Sequence, residues 1–258
     1  MTEVKGFLRF DEMLIEGRQL KGVPADQAAF MSLLVCAYNE VNTFLRLYSL
    51  NAREIPAPKP AALVSLSTKM FLARTLSAKL FEVVELLKGK QTWNKTDDLV
   101  IKKFSTESLN QFQKLQTDDG YRIARTLRSE CSNHYSLTAA RKSVASLEDD
   151  LDLTFFIHKT EGNSFALAGE RVVFDERFRV GTLPKGETDG TSLFETWLDW
   201  TLSAIKWLKT ICAEFVFLVL PDSATSRIKR NQLYWPEGDV IGDLNESFAP
   251  IFLREKRA

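Results

Sequence analysis

The chain has 258 residues, 45% apolar and 26% charged, with Gly 12 and Pro 8. Those proportions are ordinary for a globular chain and exclude fibrous, low-complexity and disordered classes. Lys and Arg number 34, as do Asp and Glu, so no whole-molecule field steers it toward nucleic acid or an anionic membrane, and any such binding needs a local patch.

Met1 to Phe10 carries Glu3, Lys5 and Arg9 and no apolar run, which argues against a secretory leader. From Pro24, a residue suited to a first helical turn, Phe30, Leu34, Ala37, Val41, Phe44 and Tyr48 recur at threes and fours and predict a helix. Ile55 to Pro60 holds Pro56, Pro58 and Pro60 and predicts a stiff, extended connector. A second stripe, Leu63, Leu66, Met70, Ala73, Leu80, Val84 and Leu87, predicts a long helix closed by Gly89 and paired antiparallel with the first. Trp93 to Asp119 is weakly patterned; Phe104, Leu109, Phe112 and Leu115 allow one short helix before the turn signal Asp118-Asp119-Gly120.

Ala124, Leu127, Cys131 and His134 then predict a helix from about Tyr121 to Tyr135, followed by another from Thr138, its N-cap, to about Leu151. Its end is crowded by Glu148, Asp149 and Asp150, where the helix dipole prefers cations. Thr154–His158, Phe165–Ala168 and Arg171–Phe174 read as three short strands of an antiparallel meander. Ser192 and Glu195 form a capping-box signature for a helix whose Phe194, Trp197, Trp200, Ile205, Leu208, Cys212, Phe215 and Leu218 run nearly all round it, as a buried central helix requires. Ser203 to Leu220 is the longest apolar stretch, but Lys206, Lys209 and Glu214 disfavour a membrane span. Beyond Pro221, the residues Arg227, Lys229, Arg230, Tyr234 and Trp235 follow no clear period. The expected fold class is mainly α: an antiparallel up-and-down helical bundle with a small antiparallel β-meander insertion. Residues 1–258 form one domain in this reading, with the insertion at 152–180 and an irregular tail at 222–258.

Chemistry has few places to sit. Cys36, Cys131 and Cys212 are odd in number, far apart and form no C-x-x-C pair, against a disulfide framework or zinc finger and in favour of a reduced, cytoplasmic protein. There is no G-x-S-x-G elbow, no G-x-G-x-x-G and no P-loop. Glu148, Asp149, Asp150 and Asp152 could surround a hard cation, but a solvated helix end explains them more simply, and no metal is expected. Imidazole chemistry has only His134 and His158 to draw on.

The segment Arg125 to Tyr135 joins base, acid and aromatic on one helix. Arg128 and His134 lie six residues apart, about 120° round an ideal helix. If the helix ends near Asn133, the imidazole can swing toward the long arginine stem, and Glu130 can orient it and favour its charged form. Taken alone, a histidine on an apolar stripe is more often a packed core residue.

Arg128-x5-His134, followed by Tyr135, on a late helix behind two long helices resembles the motif of the HEPN superfamily; the similarity spans roughly residues 25 to 150. The position after the arginine, Asn, Asp or His in many members, is Ser129 here. The resemblance implies a metal-independent endoribonuclease of the toxin or phage-defence kind, working at the cleft of a homodimer, with RNA as substrate, no cofactor and an antitoxin-like protein as a further partner. Its catalytic residues would be Arg128 and His134, supported by Glu130, Asn133 and Tyr135, with Arg122, Arg125, Arg141 and Lys142 binding RNA. His134 would move the 2′-hydroxyl or leaving-group proton and Arg128 would hold the phosphate. Tyr135 could stack on a base, although a structural role is the simpler reading. The alternative is a catalytically inactive helical module that binds a partner protein or nucleotide and keeps the motif as packing. A metal-dependent hydrolase has no E-x-x-H or H-x-x-x-E ligand pair to support it.

Overall fold

The computed structural model describes residues 8–51, 59–129, 137–157, 164–175, 190–220 and 228–234. It is mainly helical: α1 (Gly17–Lys21), α2 (Ala25–Asn51), α3 (Lys59–Lys88), α4 (Leu99–Gln116), α5 (Asp119–Leu127), α6 (Leu137–Ala145), α7 (Leu167–Glu170) and α8 (Gly190–Val219). Two short ladders join β1 (Leu8–Met13) to β4 (Ile228–Tyr234) and β2 (Phe155–Phe156) to β3 (Phe165–Ala166), both antiparallel.

The long helices form where the apolar periods lie. Pro24 precedes α2 and its carbonyl accepts the Ala28 N–H at 2.9 Å, the place a proline tolerates because its own N–H is not needed there. Pro60 is likewise inside the first turn of α3, so helix begins within the run expected to be extended; residues 52–58 lie outside the described residues. Gly89 ends α3 with φ at 58°, a conformation that favours glycine. Glu40 of α2 pairs with Lys79 of α3, and Phe30 lies beside Leu86 to Gly89, so residue numbers rise along one helix as they fall along the other.

The core is centred on α8. Trp197, Trp200 and Phe215 of α8 and Phe112 of α4 are among the largest fully buried side chains. Each buried indole has a partner for its N–H: Trp197 donates to Ser77 Oγ at 3.3 Å, Trp200 to the Leu115 carbonyl at 3.0 Å and Trp207 to the Ser108 carbonyl at 3.2 Å. Desolvating an indole without such a bond would cost about 1–3 kcal/mol. Phe104 meets Phe215 and Phe112 meets Trp207, at 4.6 and 4.7 Å between ring centres, which runs α4 antiparallel to α8. Leu218 is exposed, so the apolar girdle opens at the C-terminal end of α8.

Several boundaries differ from the sequence expectation. Trp93 to Asp119 holds an 18-residue helix, α4, because Asp98 caps it by accepting the Ile101 N–H at 3.0 Å and its buried face packs on α8. Gly120 is not in a turn but inside α5, one residue after its start. A Cβ there would stand 2.6 Å from the Thr196 carbonyl and collide with Trp200, so the absence of a side chain lets α5 close on α8. The turn is made by Asp118, which caps α5 through the Gly120 N–H at 2.7 Å. α6 starts at Leu137, leaving Thr138 inside the helix rather than at its cap, and stops at Ala145, short of Leu151. Ser146 Oγ bonds back to the Lys142 and Ser143 carbonyls, and the following acids oppose continuation at a helix's negative end. α8 begins at Gly190, which puts Ser192 inside its first turn.

The expected meander is a two-strand ladder: the run Arg171–Phe174 winds instead into a π-type turn, Arg171–Asp175, continuing α7. The tail expected to be irregular contains β4, paired with β1 in the register Leu8↔Tyr234 to Met13↔Ile228, with a bulge between Phe10 and Glu12. Residues 176–189, 221–227 and 235–258 lie outside the described residues. Ala25–Ser49 of α2, not Ser203–Leu220, is the one stretch among the described residues long and apolar enough to cross a membrane; its Phe30, Met31, Leu34 and Val41 are buried in the helical core.

Candidate functional site

Arg128 stands at the C-cap of α5, with φ −59° and ψ −47°, and its N–H reaches the Ala124 and Arg125 carbonyls. Its side chain crosses to α3. One guanidinium nitrogen, Nη2, lies 3.0 Å from Glu82 Oε1, and the guanidinium carbon lies 5.3 Å from the centre of the Phe81 ring. Phe81 in turn stacks on Trp200 at 5.8 Å and 28°, and meets Tyr121 at 5.8 Å. Arg128 thus covers the outer end of an aromatic column rooted in the core. Its side chain is 28% exposed against 58% for Glu82, so both remain at the surface while their facing atoms are committed to one another.

The other residues of the motif divide between two places. Glu130, Asn133, His134 and Tyr135 lie outside the described residues, and the expected helix is described only to Leu127, with Arg128 and Ser129 in a wider turn that follows it. Arg122 and Arg125 are exposed on α5, where Asp119 lies 3.7 Å from Arg122 Nε. Arg141 and Lys142 are exposed on α6, a helix that packs chiefly on the turn Arg171–Asp175. Positive charge on α5 is therefore offset in part by Asp119 and Glu82. Glu148, Asp149 and Asp150 are exposed beyond α6, and among the described residues no three His, Cys, Asp or Glu side chains converge on a position fit for a metal. Burial pushes the Cys212 thiol up to about 11, which keeps it protonated and inert, whereas Cys36 is exposed.

A concave region lies at the junction of α3 and α4 and was not singled out by sequence. It is a cavity of about 540 Å³. Its floor is apolar, from Phe30, Leu87, Ile101 and Leu109, and its wall is lined by Lys88, Lys95, Lys102, Asp97 and largely buried Ser105. The connecting segment 89–98 is fixed from both sides. Gly89 turns it, Thr96 Oγ1 donates to Asp26, and Asp98 accepts from Gln27 Nε2 at 2.9 Å besides capping α4. The bonds from Ile101 N–H, first, and then Gln27 hold the Asp98 carboxyl below its ordinary value. Lys102 pairs with Asp97 at 2.8 Å and Lys88 with Glu85 at 2.9 Å. Asp97–Asp98 ahead of Leu99-Val100-Ile101 is the signal that could have located this helix start from sequence. The convergence of α2, α3 and α4 on one space has no such local signature.

Compared with protein-family models, curated proteins and solved structures, the chain matches none.

Proposed function

We propose that this chain is a non-catalytic helical binding module of up-and-down bundle type, acting in the cytoplasm, in which the arginine of the HEPN-like motif serves packing. The observation that carries this reading is the double engagement of Arg128 by Glu82 and the Phe81 ring. A phosphate-holding arginine must offer its fork to an anion, and here a carboxylate already takes part of it. Drawing the guanidinium away toward a phosphate would uncover the end of the Phe81–Trp200 column. Ser129 after the arginine and the zero net charge support the same reading. The ligand in this view is a partner protein or a nucleotide, and the reading requires neither a homodimer cleft nor an antitoxin-like partner.

The competing reading, a HEPN-type endoribonuclease with Arg128 and His134 as catalysts, is separated by one assay. Structured RNA is incubated in EDTA with the wild-type chain, His134→Ala and Arg128→Ala. The module reading expects the three to give the same background. Wild-type cleavage that both substitutions abolish would overturn it in favour of the ribonuclease.

A further inference from the structure

The cavity between α3 and α4 is within the roughly 300–1,000 Å³ typical of small-molecule sites, and its chemistry is two-sided. The apolar floor of Phe30, Leu87, Ile101 and Leu109 suits a hydrocarbon or ring body. Its lining includes three lysines, Lys88, Lys95 and Lys102, and a single acid, Asp97. Asp97 is fully exposed and turned to Lys102, while the nearby acids outside the lining, Asp26 and Asp98, accept hydrogen bonds from Thr96, Gln27 and the Ile101 N–H.

We propose that this cavity binds a small amphipathic anion, with a carboxylate or phosphate head at the lysines and an apolar body on the floor. The proposal rests on the binding-module reading and gives its ligand a chemical class, small amphipathic anions, of which a nucleotide is one member and a fatty carboxylate another. Lys95 is the primary head-group contact, since it lines the cavity and forms no ion pair with an acid among the described residues. Lys88 and Lys102 are recruited from their pairs with Glu85 and Asp97. Such pairs at a surface contribute only about 0–1 kcal/mol, so exchanging them for a ligand anion is cheap. Ser105, largely buried within the lining, adds a hydroxyl at the boundary between the polar wall and the floor. The anchored 89–98 segment presents the wall ready-made, which reduces the ordering cost of binding.

The test is calorimetric titration of the full chain with decanoate and with adenosine monophosphate, each beside its neutral counterpart, decanol or adenosine, and with inorganic phosphate alone. The expected result is saturable binding of one anion per chain, weakened about tenfold or more in the neutral counterpart and in Lys95→Glu, and removed by Ser105→Phe, which fills the cavity. Which of the two anions binds distinguishes a fatty-carboxylate ligand from a nucleotide one. Lys95 is exposed, so its variant is expected to fold, and its unchanged melting temperature is the control should Ser105→Phe prove unstable. No binding of either anion, inorganic phosphate binding as tightly as both, or affinity unchanged in Lys95→Glu would overturn the proposal. The RNA assay reads the non-catalytic assignment separately: failure here with no RNA cleavage removes only the ligand class.

Discussion

Two cationic corners of the same helix, α3, have opposite characters. At Phe81 and Glu82 the incoming Arg128 is matched by an acid and a ring, and closes the surface over the Phe81–Trp200 column. At Leu86 to Gly89, the helix's end, lysines line an open cavity and one of them has no acid of its own among the described residues. The corner marked by a sequence motif is the satisfied one, and the corner with unspent charge has no motif. A cationic side chain becomes a site through what the fold leaves unpaired around it, and residue spacing along one helix does not specify that.

Three perturbations test this contrast. The largest is Gly120→Val, which drives a branched side chain into Trp200 and the Thr196 carbonyl beneath the closed corner. Overpacking of a rigid interface costs typically 1–3 kcal/mol, occasionally more, and a β-branched residue in the first turn gives no compensation. A urea midpoint lowered accordingly, with loss of near-ultraviolet tryptophan dichroism, is the expected outcome; a midpoint equal to wild type would show that α5 does not close on α8.

Next comes Arg128→Ala. Losing a half-exposed ion pair and a cation–π contact should destabilise by about 1–2 kcal/mol. Glu82→Ala in the same background should then add little, because the two act as one unit. Fully additive losses in that double-mutant cycle would mean that Arg128 does not depend on Glu82, and would return the guanidinium to the pool of candidate phosphate binders.

The smallest effect is at the open corner. Asp98 caps α4 and holds the cavity wall, and its carboxyl is depressed from an ordinary 3.8, so its charged form favours the folded state. That contribution is present above the unfolded carboxylate range and is lost as the pH falls through the lowered folded value. Asp98→Asn retains an acceptor but not the charge. It should therefore melt a few degrees below wild type at pH 7, the gap closing as the pH falls below about 3.8. A gap that stays constant down to pH 2 would assign the effect to shape rather than charge.

Much of this contrast can be traced back to the amino-acid pattern. The 3.6-residue apolar period of α2 and α3, the Gly89 stop and the all-round apolarity of α8 are local properties, and the helices sit where they occur. α4 was legible only as a short possibility, since its buried face is interrupted by Ser105 and Ser108, small polar residues that read as surface until the fold buries them, Ser108 beside Trp207 of α8. β4 was missed because its partner β1 lies at the other end of the chain, and a strand paired across such a separation has no turn between the two to announce it. The third strand of the meander failed because Arg171–Phe174 follows directly on the α7 turn, and short β-prone runs yield to the conformation already propagating beside them. Of the candidate site, Arg128 was found and its partners were not. Glu82 and Phe81 lie some 46 residues away on another helix, with nothing in the Arg128–Tyr135 segment to point to them.

That the chain is mainly helical, which faces of its long helices are apolar, and where prolines and glycines interrupt them follow from the amino-acid order alone, because each depends on neighbours within one or two turns. That Gly120 is a packing position, that Arg128 is spent on Glu82 and Phe81, and that Lys95 lines a cavity emerged with the packing of distant segments. Those outcomes are set by steric contact and Coulomb pairing between segments far apart along the chain, and such pairings exist only once α3, α4, α5 and α8 have packed.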